Sequence, residues 1–296
     1  MTAIVETNDL TKFYGQTRGV ENLNLAIQPG QVFGFLGPNG AGKSTTFRLL
    51  MDFIRPTSGS ARVFGLDAQE DSREIRSRTG FMPGDLALYP RMTGNQIVEF
   101  FSFMRKIDVR QEAKRLAERL DLDLGITVRN YSTGNRQKLG LVQAFMHRPE
   151  LLMLDEPTGG LDPIIQQEFY AMVADAVSDG ATVFLSSHVL PEVERIADQV
   201  AIIRDGGLVR VDEVGAFRRE ATRVLAFTFS QPVPEAEFST LDGVSVVTTQ
   251  GTKLIITSTG PIDAIVKAAA RHEVVELEAH EGELEDVFLA FYEDEP

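Results

Sequence analysis

Gly37-Pro38-Asn39-Gly40-Ala41-Gly42-Lys43-Ser44-Thr45 is a complete phosphate-binding loop of the form G-x-x-x-x-G-K-[ST]. An apolar run at 32–36 precedes it and reads as a buried strand. Thr46-Phe47-Arg48-Leu49-Leu50-Met51 follows and reads as the start of a helix. Strand, loop and helix in that order are the context the motif requires. The glycines let the backbone bend tightly, so that successive N–H groups point inward at phosphate oxygens. Lys43 is expected to reach the β- and γ-phosphates, and the Ser44 hydroxyl to ligate Mg²⁺. The loop predicts nucleoside triphosphate binding.

Leu151-Leu152-Met153-Leu154-Asp155-Glu156 is an apolar strand ending in two carboxylates. Behind a phosphate loop, Asp155 is placed to complete the Mg²⁺ shell opposite Ser44. Glu156 is the natural candidate to polarise an attacking water. A further apolar run at 182–185 ends in Ser186-Ser187-His188, which puts a histidine within reach of a γ-phosphate. His147, His272 and His280 read as structural. Upstream, Tyr131-Ser132-Thr133-Gly134-Asn135-Arg136-Gln137-Lys138 opens a helix expected to run to His147, with Ser132 as its N-cap.

Strand-like runs at 3–7, 23–27, 32–36, 151–154, 182–186 and 199–204 alternate with helical patterns such as 166–176 and 191–197. The later runs lack polar alternation, as strands buried on both faces do, so an α/β core with a largely parallel sheet is expected. Residues 85–150 read instead as a helical insertion, with helices over 94–105 and 110–120. Phe100, Phe101, Phe103 and Met104 cluster on the first of these and are expected to lie mostly in the core. Asp205-Gly206-Gly207 signals a tight hairpin. Beyond residue 220, strands at 224–229, 245–249, 253–257 and 274–279 and helices at 261–272 and 282–292 predict a small separate α+β domain. The expected domains are 1–219 and 220–296.

The chain has 296 residues, 43% of them hydrophobic, and a net charge of −14. No apolar stretch approaches the ~18 residues that span a bilayer, and no secretory signal opens the chain. Zero cysteines exclude disulfides, thiolate metal sites and a cysteine nucleophile. These features suit the cytosol. Residues 220–296 carry 15 Asp/Glu against 4 Lys/Arg. Phosphate backbones repel such a surface, which argues against nucleic-acid binding.

The order of these motifs over residues 4–215 resembles the nucleotide-binding subunit of an ABC transporter. The resemblance implies a P-loop ABC-type core with ATP and Mg²⁺ as cofactors. In it, Ser132, Thr133, Gly134 and Asn135 match the signature that contacts ATP bound to the opposite subunit. A dimer of identical copies or paralogues is therefore implied, with Asp162 in the loop crossing its interface. Tyr14 matches the aromatic that stacks on adenine.

Tyr131, Thr133 and Asn135 depart from the family's usual Leu-Ser-Gly-Gly-Gln, while Ser132 and Gly134 remain. Gly84 stands where the family carries glutamine or glutamate joining Mg²⁺, water and the membrane contact; Asp85 or a water is the expected substitute. The tail at 284–289 is similar to an appendage of drug, antibiotic and lipid exporters. What the resemblance implies is an ATPase on the cytoplasmic membrane face, driving a separate transmembrane permease, in the exporter branch. A soluble ATPase of the same type, acting on ribosomes, DNA repair or cluster assembly, is the rival. Ribosome-acting relatives carry two cassettes and chromosome-maintenance relatives a long coiled coil, whereas this sequence shows one phosphate loop and no sustained heptad.

Overall fold

The computed structural model describes residues 2–220 and 223–281. Its residues divide into two units, Met1–Val211 and Asp212–Pro296.

The first unit opens with β1 (Val5–Tyr14), β2 (Thr17–Leu23), β3 (Ala26–Ile27) and β4 (Val32–Leu36). The single strand expected over 23–27 is thus two short pieces. Between them Asn24 leaves the ladder, its carboxamide exchanging hydrogen bonds with Asp9. After the phosphate loop come α1 (Lys43–Leu50), β5 (Ser58–Val63), β6 (Leu66–Asp67), α2 (Ser72–Arg78) and β7 (Thr79–Met82). The helical insertion supplies α3 (Gly94–Arg105), α4 (Arg110–Arg119) and α5 (Thr133–Phe145). Then follow β8 (Leu151–Asp155), α6 (Pro163–Ser178), β9 (Thr182–Ser187), α7 (Leu190–Ile196), β10 (Gln199–Arg204) and β11 (Gly207–Glu213).

The central sheet has the order β11-β10-β4-β9-β8-β7. From β10 to β7 every neighbouring pair is parallel. β4, β8 and β9 are buried at every position, which is why their sequences run apolar without alternation. β10 and β11 join through Asp205 and Gly206 at φ 48° and 79°, the paired positive angles of a tight hairpin turn. A second, antiparallel sheet runs β2-β1-β5-β6, with β3 also on β1.

Phe184 on β9 knits the layers together. Its ring lies 5.6 Å from both Phe33 and Phe35 and 4.6 Å from Phe47 of α1, edge-on to Phe33 and to Phe47. The helix that follows the phosphate loop is thereby pinned to the parallel sheet.

The aromatic cluster on α3 corrects the sequence reading. Phe103 and Met104 are 80% and 61% exposed, and Phe100 and Phe101 are only half-buried. The helix buries Gly94, Ile97 and Val98 in its first half, where its backbone is tied to the carbonyls of Leu124 and Ile126. Its apolar second half projects beyond that support.

The second unit contains α8 (Val214–Glu220), β12 (Arg223–Phe229), α9 (Ala236–Ser239), β13 (Val244–Gln250), β14 (Lys253–Ser258), α10 (Asp263–Ala269) and β15 (Val274–Glu281). Its antiparallel sheet, β13-β14-β12-β15, packs Leu225, Phe227 and Phe229 against Phe238 and Ile265. The helix expected over 282–292 and the motif at 284–289 lie outside the described residues.

Candidate functional site

The phosphate loop leaves β4 at Gly37 and enters α1 at Lys43. Two of its glycines are obligatory. A Cβ on Gly37 would stand 2.3 Å from the Ile203 carbonyl oxygen, and Gly42 holds φ 110° with no room beside the Gly19 carbonyl. The loop thus presents its N–H groups at a helix N-terminus, the arrangement that binds anions.

Lys43 is buried, its Nζ donating to the carbonyls of Gly37 at 2.6 Å and Pro38 at 3.1 Å. The same ammonium lies 3.2 Å from Glu156 Oε1, too poorly aligned for a hydrogen bond but a close ion pair. Glu156 Oε2 accepts from His188 Nδ1 at 2.7 Å. One carboxylate therefore links the phosphate-loop cation to the histidine after β9. Tyr14, Arg18, Lys43, Ser44, Thr45 and Glu156 line a cavity of about 300 Å³, together with Asn39 and Gly40 of the loop.

Glu156 sits just beyond the end of β8 with φ 51°, a left-handed backbone that a glutamate adopts at a cost of ~1 kcal/mol. Its N–H donates to the Ser186 carbonyl at 3.2 Å, and its own carbonyl accepts from Gln137 Nε2 at 2.9 Å. Asp155, the last residue of β8, is buried. Its Oδ1 accepts from Ser186 Oγ at 2.5 Å and its Oδ2 from the Gly84 N–H at 3.4 Å. At Gly84 the backbone N–H, not the Asp85 side chain, reaches Asp155; Asp85 itself is exposed.

The donor set suits a hard divalent cation. No group of three or more His, Cys, Asp or Glu is gathered among the described residues. A hydroxyl (Ser44) and a carboxylate (Asp155) fit an ion that draws its remaining ligands from phosphate and water.

Ser132, Thr133, Gly134 and Asn135 do not line this cavity. Ser132 caps α5, its Oγ accepting from the Asn135 N–H at 3.1 Å. Asp162 caps α6 with bonds from the N–H groups of Ile164 and Ile165, both at 3.0 Å. Tyr131, the departure from leucine, is explained locally: it is buried, and its hydroxyl donates to the Asp123 carbonyl at 2.6 Å. A second cavity, about 380 Å³, is lined by α4, α5 and α6. Its charges neutralise one another, Arg119 pairing with Glu168 and Asp175, and Arg115 and Arg148 with Glu112.

Gln137, Ser186, Thr158 and Glu192 support the site and were not singled out from sequence. Gln137 follows the signature residues on α5, where it is buried.

A parallel sheet, a phosphate loop and a carboxylate–histidine pair beyond adjacent strand ends define a P-loop ATPase with a helical subdomain. The family model described as "ABC transporter" matches residues 20–159. The bacitracin transport ATP-binding protein BcrA of Bacillus licheniformis is 35% identical over 233 residues, 78% of this chain and 76% of the relative. The chain belongs to the ATP-binding subunits of ABC transporters, and it is an ATPase. The daunorubicin/doxorubicin resistance ATP-binding protein DrrA of Streptomyces peucetius is likewise 35% identical, covering 73% and 67% of the two chains. Among solved structures, the dimeric bacterial ABC transporter cassette MJ0796 shares the fold, with a TM-score of 0.66 at 22% identity over 71% of this chain and 98% of that one. Among the described residues no helix is long and apolar enough to cross a membrane.

Proposed function

We propose that this chain energises an exporter of drugs, antibiotics or lipids whose membrane-spanning permease is a separate polypeptide. The observation carrying the catalytic part is the Glu156 carboxylate, held between Lys43 at 3.2 Å and His188 at 2.7 Å on the wall of the phosphate-loop cavity. Export is supported by relatives named for bacitracin transport and for daunorubicin and doxorubicin resistance.

In this reading the adenine stacks on Tyr14, and residues 37–45 receive the phosphates. Ser44 and Asp155 would hold Mg²⁺, which when bound would supply neutralisation of phosphate charge. Glu156 orients a water whose oxygen bonds to the γ-phosphorus as the bond to the β–γ bridging oxygen breaks. ADP, inorganic phosphate and a proton leave. Lys43 stabilises the spreading negative charge, and His188 contacts the γ-phosphate.

Ser132 to Asn135 are exposed or half-exposed at the start of α5, available to ATP held by a second copy or a paralogue. Two ATPs then close the dimer across the Asp162 loops, and hydrolysis releases it. The permease docks beside residues 81–89 and the exposed end of α3. It thereby holds the chain on the cytoplasmic face of the membrane. At this edge the Gly84 N–H keeps the link to Asp155 in place of the absent glutamine, and exposed Asp85 faces the permease.

The test is recovery of tagged Glu156→Gln protein from detergent-solubilised membranes with ATP. Co-purification of a polytopic membrane protein is expected, with hydrolysis abolished. Enrichment of only soluble or ribosomal proteins would overturn transport, and rapid hydrolysis by the variant would overturn the role of Glu156.

A further inference from the structure

Two hydroxyls converge on a single carboxylate oxygen of Glu192, in the first turn of α7. Thr158 Oγ1 donates to Oε2 at 2.7 Å and Ser187 Oγ donates to the same atom at 3.0 Å. The donors are 5% and 1% exposed. Thr158 stands two residues after Glu156, and Ser187 immediately precedes His188. One anion therefore ties together the two loops whose side chains meet at 2.7 Å in the cavity.

That tie has work to do. Glu156 has left the strand and holds a left-handed φ of 51°, so β8 no longer dictates where its carboxylate points. His188 is half-exposed, and its ring is bonded to Glu156. Ser187 has one hydroxyl proton. Its distance to Glu192 is shorter than the 3.3 Å to the Val189 carbonyl, while the Val189 N–H donates back to Ser187 Oγ at 2.9 Å. Hydrogen bonds to an ionised acceptor are roughly twice as strong as neutral ones. Glu192 does not line the phosphate-loop cavity.

We propose that Glu192 is a positioning residue for hydrolysis. It fixes the separation and orientation of Glu156 and His188 through Thr158 and Ser187 and touches no substrate. The proposal rests on the reading that Glu156 orients the attacking water.

The experiment is steady-state ATP hydrolysis by the full chain, with nucleotide affinity from a fluorescent ATP analogue and thermal unfolding on the same samples. Glu192→Ala is expected to lower kcat about ten-fold while KM stays within about two-fold, the signature of lost geometry in the transition state. Glu192→Gln keeps an acceptor oxygen and restores most of the rate. Thr158→Val, nearly isosteric, loses about three-fold or more, and its combination with Glu192→Ala falls short of the product of the two. Wild-type turnover by both Glu192→Ala and Thr158→Val would overturn the proposal. So would a loss in Glu192→Ala matched by weaker analogue binding, or one left unrepaired by Glu192→Gln. A Glu156→Gln control that still hydrolyses ATP refutes the underlying reading of Glu156. An inactive control beside a fully active Glu192→Ala refutes only the role of Glu192.

Discussion

The Gln137 carboxamide donates to the backbone carbonyl of Glu156 at 2.9 Å and to that of Pro157 at 3.1 Å. Three residues earlier on α5, a Cβ at Gly134 would stand 2.9 Å from the Gly160 carbonyl oxygen, so the two backbones touch. The helix capped by Ser132 is thus bonded to the loop bearing Glu156. Gln137→Leu removes the donor and strands buried carbonyls at a cost of about 1–3 kcal/mol. The expected outcome is a lower melting temperature together with a fall in kcat that exceeds any change in KM. Calorimetry and steady-state kinetics on the same preparation check both.

Gly84 lies against the buried carboxylate of Asp155. A Cβ there would meet Asp155 Oδ2 at 3.1 Å and its Cγ at 3.3 Å. Gly84→Ala must therefore press on a buried side chain already fixed by Ser186, and turnover is expected to drop several-fold, with the Mg²⁺ concentration for half-maximal rate rising. Asp85→Ala, on the exposed neighbour, is expected to impair stimulation by the permease more than basal hydrolysis. Mg²⁺ titrations of the first variant and permease-stimulated ATPase of the second are the measurements.

Tyr14 is 45% exposed on the cavity wall, with Lys12 Nζ 5.4 Å from its ring centroid. Base–aromatic stacking is worth about 1–3 kcal/mol. Tyr14→Ala should weaken ATP binding by roughly ten-fold at the lower half of that range, whereas Tyr14→Phe should bind as wild type. Equilibrium titration with a fluorescent analogue separates the two.

His147 makes stability depend on pH. Burial, helped by the nearby Arg105 guanidinium, pushes its imidazole down to about 4. Nε2 faces the Thr79 carbonyl at 3.2 Å, and Nδ1 is buried with no hydrogen-bond partner among the described residues. The folded-state value lies below the unfolded one of ~6.5, so between about pH 6.5 and 4 the unfolded chain binds a proton that the native chain refuses. Stability is lost as pH falls through that window, by up to about 3 kcal/mol from this group. His147→Gln retains a donor for Thr79 and removes the titration. Its stability should fall less between pH 7 and pH 5 than that of the wild type in parallel denaturant unfolding.

Phe103 and Met104 offer a contrast. Both are exposed, so replacing them with serine should leave unfolding free energy within about 0.5 kcal/mol. Recovery of the permease with the tagged chain should nevertheless decline. Unchanged recovery would move the docking surface elsewhere.

Much of this architecture was legible because it is written in contiguous residues. The strands at Val32–Leu36 and Gln199–Arg204 and the helix at Gly94–Arg105 match their sequence expectations at both ends. β5 escaped notice because its first three residues, Ser58-Gly59-Ser60, are polar and exposed. β7 has four residues, one of them Gly80, and is a strand because β8 pairs with it. The phosphate loop, Asp155-Glu156 and His188 were visible as motifs. Their supports were not, because Gln137–Glu156, Asp155–Ser186 and Thr158–Glu192 join residues 19, 31 and 34 apart. Likewise, hydropathy reports that Phe103 is apolar but not whether any neighbour covers it.

The left-handed backbone at Glu156 sets two demands on the molecule against each other. Glycine at this point would relieve the steric cost of a side chain at φ 51° and would end hydrolysis. Populations of this gene selected only for abundance or heat tolerance should therefore accumulate Glu156→Gly or Glu156→Asn alleles that fold better and transport nothing. Only growth that depends on the pump would hold glutamate in place.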